Sequence, residues 1–469
     1  MTSDFFILMK SELSLVFIIF LLLILKVSDV FKSNSAFSHF SNVLLVLNFV
    51  FGFLFNSEGT LFNGMFYTNS ALALEKNILN FGVLVICLQA FDWLKTHKHV
   101  AEFYILLLST LLGMFYMISS GHFLMFYLGL ELASIPLAAL ANFDLEKRKS
   151  SEAAMKLILS SAFASGILLF GISLLYGATG SLLFSEMPML ITDSPLQVVS
   201  LIFIFTGFAF KLSVVPFHFW TADVYEGAPV AVTSFLSVIS KAAMVFVFIS
   251  ILMPLFASAK DLFYLILLLS IVLTISIGNL FAIRQDNIKR FLAFSSIAQV
   301  GYVLLGLSSG NSIGISASIY FLMVYLFSNL AAFGVISIVS SQSGKENISD
   351  YKGFYTNNKM LSWILAIAMF SLAGIPPTAG FFGKMFLVTA GASKGNFVLV
   401  GFAALNMVVS LYYYLRVIKA IFIDKNDEPI ASISGSISHH IGLILCFLGI
   451  ILTGFAGGLY EYIAIAFKL

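Results

Sequence analysis

The chain contains 469 residues, of which 60% are hydrophobic and only 10% are charged, and its mean hydropathy is +1.01. Average soluble domains contain about 25% charged residues, so this composition excludes a water-soluble fold and indicates a polytopic membrane protein. The formal net charge of +2 is too small to suggest nucleic acid as a partner. Cys87 and Cys446 cannot supply the four thiolates that an iron–sulfur cluster usually needs, and both are interpreted as small apolar residues.

Apolar runs long enough to span a bilayer recur along the whole chain. A transmembrane helix needs about 20 apolar residues, and runs of this length exclude a transmembrane barrel. The first run is predicted to be a retained helix, because no small-residue cleavage site follows it. The sequence therefore predicts an all-α polytopic membrane protein with about 14 transmembrane helices. We place them at residues 11–28, 41–57, 77–94, 100–119, 121–141, 152–177, 197–220, 228–256, 261–283, 290–309, 312–341, 360–391, 396–423 and 438–465.

Basic residues in the predicted loops indicate the orientation. Of the 25 lysines and arginines, 16 fall on one set of alternate loops and four lie inside the spans. The opposite side has the remaining five, which are Lys10, Lys76, Lys260, Lys394 and Lys468. Because cytoplasmic loops carry the excess of positive charge, both termini are predicted to lie on the outer side of the membrane.

Two of the predicted spans are interrupted by proline. The seventh contains Pro216, and the twelfth contains Pro376 and Pro377. Proline removes a helical hydrogen bond and clashes with the preceding turn. Interrupted helices in corresponding positions indicate a transporter built from two inverted repeats. We predict helices 1–3 in residues 1–99, a first repeat in 100–256, a second, inverted repeat in 257–423 and a last helix in 424–469. Residues 181–195 are either an amphipathic surface helix or a plain loop.

Five ionisable residues lie inside the apolar segments: Glu131, Lys156, Lys211, Lys241 and Lys384. A charge at mid-membrane costs about 2.5–3.5 kcal/mol on insertion scales, so such residues are rare and usually functional. A lysine in a medium of low dielectric constant releases its proton more readily than in water, and it can therefore act as a proton carrier. A row of such groups predicts a path for protons.

Three of these five residues, and His218, also have a purely structural interpretation. Glu131 can be a carboxylate bonded to a neighbouring helix, and Lys211 can form a static ion pair. Lys156 lies four residues after Glu152, in the favourable order for a helical ion pair, and it is close enough to the span end to extend to the interface. His218, at the first break, is either a proton relay or a polar group bonded to freed backbone.

Other polar residues inside the spans are ordinary helix–helix contacts when taken one by one. Together they can hold water between the lysines. They are Asn279, Ser295, Ser296, Gln299, Tyr302, Ser328 and Asn329.

Residues 211–229, which read KLSVVPFHFWTADVYEGAP, resemble the signature of the antiporter-like subunits of respiratory complex I. The D-V-Y-x-G-A-P ending and the later Ser240-Lys241 pair are most similar to the subunit N family of NADH-quinone oxidoreductase. Further similarity lies in residues 127–136, 151–156, 278–302, 371–384 and 411–417. The resemblance extends over most of the chain, from about residue 104 to residue 423.

This resemblance implies a fold of fourteen helices with two inverted five-helix repeats, each containing a broken helix. It implies that Glu131 is the fifth-helix glutamate, Lys211 its seventh-helix partner and Lys156 the sixth-helix lysine. Lys241 would be the central lysine between two half-channels, and Lys384 would lie on the exit side. A sister subunit has glutamate at the last position, so Lys384 favours subunit N.

The resemblance also implies a non-redox subunit of a proton-translocating NADH:quinone oxidoreductase in the bacterial cytoplasmic (inner) membrane. No cofactor is expected in this chain; FMN, iron–sulfur clusters, NADH and quinone are expected in other membrane and peripheral subunits. A lateral signal would change the pairing of Glu131 with Lys211 and drive protons along the lysines. The alternatives are a subunit of a multisubunit Na+/H+ antiporter, a passive scaffold, and a related complex that uses ferredoxin instead of NADH.

Overall fold

The computed structural model describes residues 2–54, 57–192, 194–257 and 259–467, and these residues form fourteen helical spans. The spans are Lys10–Val27, Asn34–Phe51, Ser70–Gln89, Val100–Ile118, Phe123–Ala141, Arg148–Thr179, Pro195–Leu212 with Phe219–Gly227, Val230–Leu255, Lys260–Ile283, Ile288–Leu307, Ser312–Ser343, Lys359–Ala373 with Ala379–Ala392, Phe397–Phe422 and Ile437–Phe455. The shorter helices are Thr2–Leu8, Phe91–Lys95, Met187–Leu190, Ile348–Tyr351, Phe354–Asn357 and Gly457–Ala466.

The predicted all-α polytopic fold is confirmed. Within the described residues, 11 helices are long and apolar enough to cross a membrane by themselves. The first span contains three charged residues, the second contains three asparagines, and the twelfth is split into two short helices. The division into two inverted repeats agrees with this layout and stays a prediction.

The second span begins at Asn34 rather than at residue 41, and two further details differ from the prediction. The seventh span ends at Gly227 rather than at residue 220, because the chain resumes a helix at Phe219 after the break. An antiparallel hairpin of Gly59–Leu61 and Phe66–Thr68 lies before the third span. Of the two alternatives predicted for residues 181–195, the loop agrees with the structure, because residues 181–192 and 194 are mostly loop with one short helix at Met187–Leu190. Residues 55 and 56 of the predicted second span, and Lys468, lie outside the described residues.

Both interrupted spans break at a residue with left-handed backbone. The first half of the seventh span ends at Leu212, and Ser213 has φ 63°. The first half of the twelfth ends at Ala373, and Gly374 has φ 84°. Glycine adopts this conformation without steric cost, whereas Ser213 is held in it by a hydrogen bond of 2.7 Å from Thr221 Oγ1 to its Oγ. Each break therefore leaves carbonyl groups without helical partners inside the protein.

The eighth, tenth and eleventh spans form the centre of the molecule. Buried residues make up 89%, 94% and 89% of their most apolar segments, against 28% for the thirteenth span. The eighth span is not a regular α-helix, because two turns of π-helix, Leu236–Ser240 and Phe248–Leu252, flank the segment that starts at Lys241. Such turns within helices are frequent at functional sites.

The assignment of Lys76 to an outer loop was wrong. The third span begins at Ser70, so Lys76 lies in its second turn, and the residue is only 2% exposed. Its ammonium pairs with Glu12 of the first span, with 2.6 Å between Lys76 Nζ and Glu12 Oε1. The helix starts earlier than the apolar run because Asn69 accepts a hydrogen bond from the backbone of Leu72 and caps it.

Candidate functional site

Lys241 lies in the eighth span, between its two turns of π-helix, and is 2% exposed. Its ammonium donates a short hydrogen bond to Ser296 Oγ of the tenth span. The Tyr225 ring of the seventh span lies 5.8 Å from Lys241 Nζ, close enough for a cation–π contact. Neither neighbour has a negative charge, so the lysine is held by a hydroxyl and an aromatic face, and not by a salt bridge.

Lys384 lies beside the second break and is 1% exposed. Its ammonium donates to the Ala373 carbonyl at 3.1 Å, which is one of the groups that the broken helix leaves free. The ammonium also lies 5.2 Å from the centre of the Tyr302 ring. The negative end of a helix stabilises a cation, so the first half of the twelfth span provides a site for the Lys384 charge.

Polar side chains line the space between these two lysines. Ser295, next to the serine that binds Lys241, is hydrogen-bonded to Tyr414 Oη at 2.5 Å. Gln299 donates to Tyr414 Oη at 3.0 Å and to the Leu372 carbonyl at 3.1 Å, one residue before the carbonyl that binds Lys384. Ser295, Tyr414 and Gln299 thus form a hydrogen-bonded series between the two lysines, and Ser296, which binds Lys241, directly follows the first member of this series. Tyr414, its central member, was not a predicted site residue.

Lys211 is bound by two serine hydroxyls, in contrast to the predicted contact with Glu131. Its ammonium donates to Ser134 Oγ at 2.5 Å and to Ser161 Oγ at 3.1 Å. Within the described residues Glu131 forms no direct ion pair with Lys211, and its buried Oε1 has no hydrogen-bond partner. Ser134 lies three residues after Glu131 on the same helix, so the carboxylate lies near the lysine without contacting it. Among the described residues, no hydrogen bond connects Lys211, Ser134 or Ser161 to Lys241.

Lys156 belongs to an ionic network at the predicted cytoplasmic end. It pairs with Glu152 at 2.7 Å, as the four-residue spacing predicts, and with Asp223 at 2.6 Å. Arg290 pairs with Asp223 at 2.6 Å and with Glu226 at 3.2 Å. The Lys156 side chain is 41% exposed, so it differs from the buried Lys241 and Lys384.

Neither Asp223, which pairs with Lys156, nor Arg290, which pairs with Asp223, was a predicted site residue. Asp223 lies in the quoted 211–229 run, but its contact with Lys156 joins residues 67 positions apart. The one available signal was the presence of two acids, Asp223 and Glu226, directly after a broken span.

We expect Asp223→Asn to weaken this network without unfolding the protein. Ion pairs that are partly open to solvent contribute about 0–1 kcal/mol, so the loss should be about 1 kcal/mol and should shrink in high salt. The measurement is the thermal unfolding midpoint of the detergent-solubilised protein at low and high salt. Asp427→Asn, in an exposed loop, is the control. An equal loss at both salt concentrations would contradict the assignment.

His218 forms no hydrogen bond with Lys156, Lys211, Lys241 or Lys384 among the described residues. The residue is 6% exposed, its ring packs against Phe219 with 4.6 Å between ring centres, and its Nδ1 has no hydrogen-bond partner among the described residues. Its role as a relay stays a prediction. In the same residues no group of three or more His, Cys, Asp or Glu side chains is arranged to hold a metal ion.

A cavity of about 580 Å³ opens at the same end as the ionic network. Its lining includes Glu226, Ala228 and Lys289. Lys289 Nζ lies 3.3 Å from the Ala228 carbonyl and 3.1 Å from Glu346 Oε1. The lining residue Glu226 directly follows Tyr225, whose ring lies 5.8 Å from Lys241 Nζ.

A known protein family matches the part of the chain that contains both broken spans. The family described as "NADH:quinone oxidoreductase/Mrp antiporter, TM" matches residues 120–410, which include both breaks. The NADH-quinone oxidoreductase subunit N of Phocaeicola vulgatus is 48% identical over 88% of each chain. The chain belongs to the subunit N family. The corresponding protein of Azobacteroides pseudotrichonymphae genomovar. CFP2 is 45% identical over 98% of this chain and 97% of its own.

Solved structures confirm the fold of this family. A chain of respiratory complex I from Thermus thermophilus with bound aureothin has a TM-score of 0.82 and 28% identity, covering 96% of this chain and 98% of that chain. A chain of the Mrp complex from Dietzia sp. DQ12-45-1b has a TM-score of 0.81, covering 97% and 96%, but only 19% identity. The second likeness shows the fold alone. The predicted membership of the subunit N family is confirmed, and the chain is a membrane subunit of NADH:quinone oxidoreductase type.

Proposed function

We propose that this chain translocates protons across the membrane as a subunit of an NADH:quinone oxidoreductase. The observation that supports this function best is the pair of fully buried lysines, Lys241 and Lys384, with a hydrogen-bonded series between them. Neither lysine has a carboxylate partner among the described residues, so each ammonium can give up its proton without leaving an opposite charge unpaired.

In the proposed cycle, a signal from elsewhere in the complex moves Glu131 towards or away from Lys211. Two unit charges 4 Å apart attract by about 4 kcal/mol at an effective dielectric constant of 20. One charge that crosses against 100 mV needs about 2.3 kcal/mol. The making and breaking of one such contact is therefore of the right size to drive one proton. The Lys211 proton would pass to Lys241 and then along Ser295 and Gln299 towards Lys384.

We further propose that the cavity on the predicted cytoplasmic side admits protons to Lys241, and that Lys384 releases them on the outer side. The chain would lie in the bacterial inner membrane with both termini outside. It would assemble with other membrane and peripheral subunits, in which NADH, FMN, iron–sulfur clusters and quinone are bound. The similar chain from Thermus thermophilus is part of respiratory complex I, which supports this assembly.

The first test is gentle purification through a tag on this chain, followed by iron analysis and an NADH:quinone activity assay. A large particle with iron–sulfur clusters and NADH-driven quinone reduction is the expected result. Clusters without NADH activity would assign another electron donor, such as ferredoxin. A particle without clusters that exchanges Na+ for H+ would overturn the proposal in favour of the antiporter.

We expect Glu131→Gln to lower proton pumping by about tenfold, because electrostatic coupling between sites is typically about 1–3 kcal/mol. The substitution keeps the side-chain volume and removes the charge that acts on Lys211. The measurement is the acidification of inverted membrane vesicles per NADH oxidised. Glu146→Gln, whose side chain is 92% exposed, is the control. Pumping at the wild-type ratio in the Glu131 variant would remove this residue from the mechanism.

A further inference from the structure

A second group of buried ionisable residues lies far from the lysine row in sequence, where the first and third spans meet. Glu12 is fully buried, and Glu75 and Lys76 are each 2% exposed. Lys76 pairs with Glu12, and its ammonium also lies 5.4 Å from the Phe66 ring and 5.9 Å from the Phe115 ring. Burial this complete at three adjacent ionisable positions is not explained by the proposed pumping mechanism.

Among the described residues, Glu12 has a contacting cation and Glu75 does not. Two carboxylates, Glu12 and Glu75, share the single ammonium of Lys76, and that ammonium contacts Glu12. Glu75 has no ion pair or hydrogen bond with the described residues, and its Oε2 is buried. Lys10, the other cation nearby, donates hydrogen bonds to the carbonyls of Gly52 and Leu54. An ionised carboxylate buried without a partner costs several kcal/mol even after the protein relaxes.

The hairpin and the fourth span each contribute a tyrosine near this cluster. Tyr116 of the fourth span lies within electrostatic range of Glu12, and Tyr67 of the hairpin lies within range of Glu75. Burial and then the Glu75 carboxylate raise the pKa of the Tyr67 phenol to about 12, so Tyr67 stays a neutral hydroxyl. The titratable groups that face the cluster are Lys10 and Glu12 of the first span, Glu75 and Lys76 of the third, Tyr67 of the hairpin and Tyr116 of the fourth.

A series of hydrogen-bonded side chains fixes the helices around the cluster. Ser14 donates to Asn48 at 2.7 Å, Asn48 donates to Asn80 at 2.9 Å, and Asn80 donates to Asn77 at 3.4 Å. Ser14 lies two residues after Glu12, and Asn77 directly follows Lys76. These hydrogen bonds connect the first three spans beside the cluster.

We propose that Glu12, Lys76 and Glu75 form a proton-binding site that holds one exchangeable proton on Glu75. With Glu12 and Lys76 charged and in contact with each other, this proton removes the buried charge that Glu75 would otherwise have without a contacting cation. The ligand is a proton and not a metal cation, because a metal ion needs several ligands and no group of three or more His, Cys, Asp or Glu side chains among the described residues is arranged to hold one. This inference does not depend on proton translocation by Lys211, Lys241 and Lys384.

The test is infrared spectroscopy of the full chain reconstituted in lipid, in the region where protonated carboxyl groups absorb. At neutral pH, Glu75→Gln should remove the band of one carboxyl group, and this band should shift in heavy water. Lys76→Met should add a second carboxyl, because Glu12 then loses its cation and takes up a proton. Glu428→Gln, in an exposed loop, is the control and should leave this region unchanged.

The outcomes separate the possibilities. An unchanged carboxyl spectrum in Glu75→Gln would show that Glu75 is ionised and would overturn the proposal. A carboxylate signal that responds to Na+ and not to pH would overturn it in favour of a sodium site. If Glu75→Gln fails to fold, Glu75→Asp and Lys76→Met still test the band assignment. Because none of these readouts uses pumping, failure of the proposed function leaves the result interpretable.

Discussion

Replacement of Lys241 by methionine should abolish proton pumping and leave the protein folded. Methionine fills a similar volume with flexible apolar atoms, and Lys241 forms no salt bridge whose partner would be left unpaired among the described residues. A positioned proton-transfer group contributes about 10²–10⁴-fold to a rate, so proton translocation should fall by about 100-fold or more. The measurement is NADH-driven acidification of inverted vesicles, with the amount of assembled complex determined in the same membranes.

A graded pair of controls makes this result specific. Lys425→Met removes a lysine from an exposed loop and should pump normally. Ser296→Ala removes only the hydroxyl that accepts the Lys241 hydrogen bond, so pumping should decrease but remain measurable. If the Lys241 variant pumps at the wild-type ratio of protons to NADH, the buried lysines are vestigial and the chain is a passive scaffold.

Replacement of Gly380 by alanine should destabilise the second broken span. A Cβ at this position would lie 1.7 Å from the backbone oxygen of Ser371 and 2.6 Å from its carbonyl carbon. Backbone atoms cannot move aside as a flexible side chain can, so the two half-helices must separate. Overpacking typically costs about 1–3 kcal/mol, and we expect a value near the upper end, about 3 kcal/mol, measured as a lower thermal unfolding midpoint.

The same change should also affect proton transfer, because Lys384 binds the Ala373 carbonyl across this break. Separation of the half-helices would lengthen that hydrogen bond. Gly401→Ala is a matched control, since a Cβ there meets nothing within 4 Å. Alanine favours a helix by up to about 1 kcal/mol over glycine, so this control should be neutral or slightly stabilising. Equal midpoints for the two variants would show that the helices at Gly380 are more adaptable than their contact indicates.

Several features follow from the sequence because they depend on neighbouring residues alone. Apolar runs of sufficient length specify helical spans, and Pro216, Pro376 and Pro377 specify where two of them break. The buried positions of Lys241 and Lys384 follow from the absence of other charged residues close by in the chain. The ion pair of Lys156 with Glu152 follows from their four-residue spacing.

Only the tertiary structure decided which groups meet across the helices. Lys211 contacts Ser134 and Ser161 and not Glu131, because the position of an ammonium depends on the packing of three helices. The Glu12–Lys76 pair could not be predicted from the sequence. A lysine at the end of an apolar run is assigned to a loop, and only the packing of the first span against the third shows that it is buried. The sequence by itself determined the membrane fold and the buried lysines. The packing of distant segments decided the partner of each charge, because electrostatic energy depends on distance in space and not along the chain.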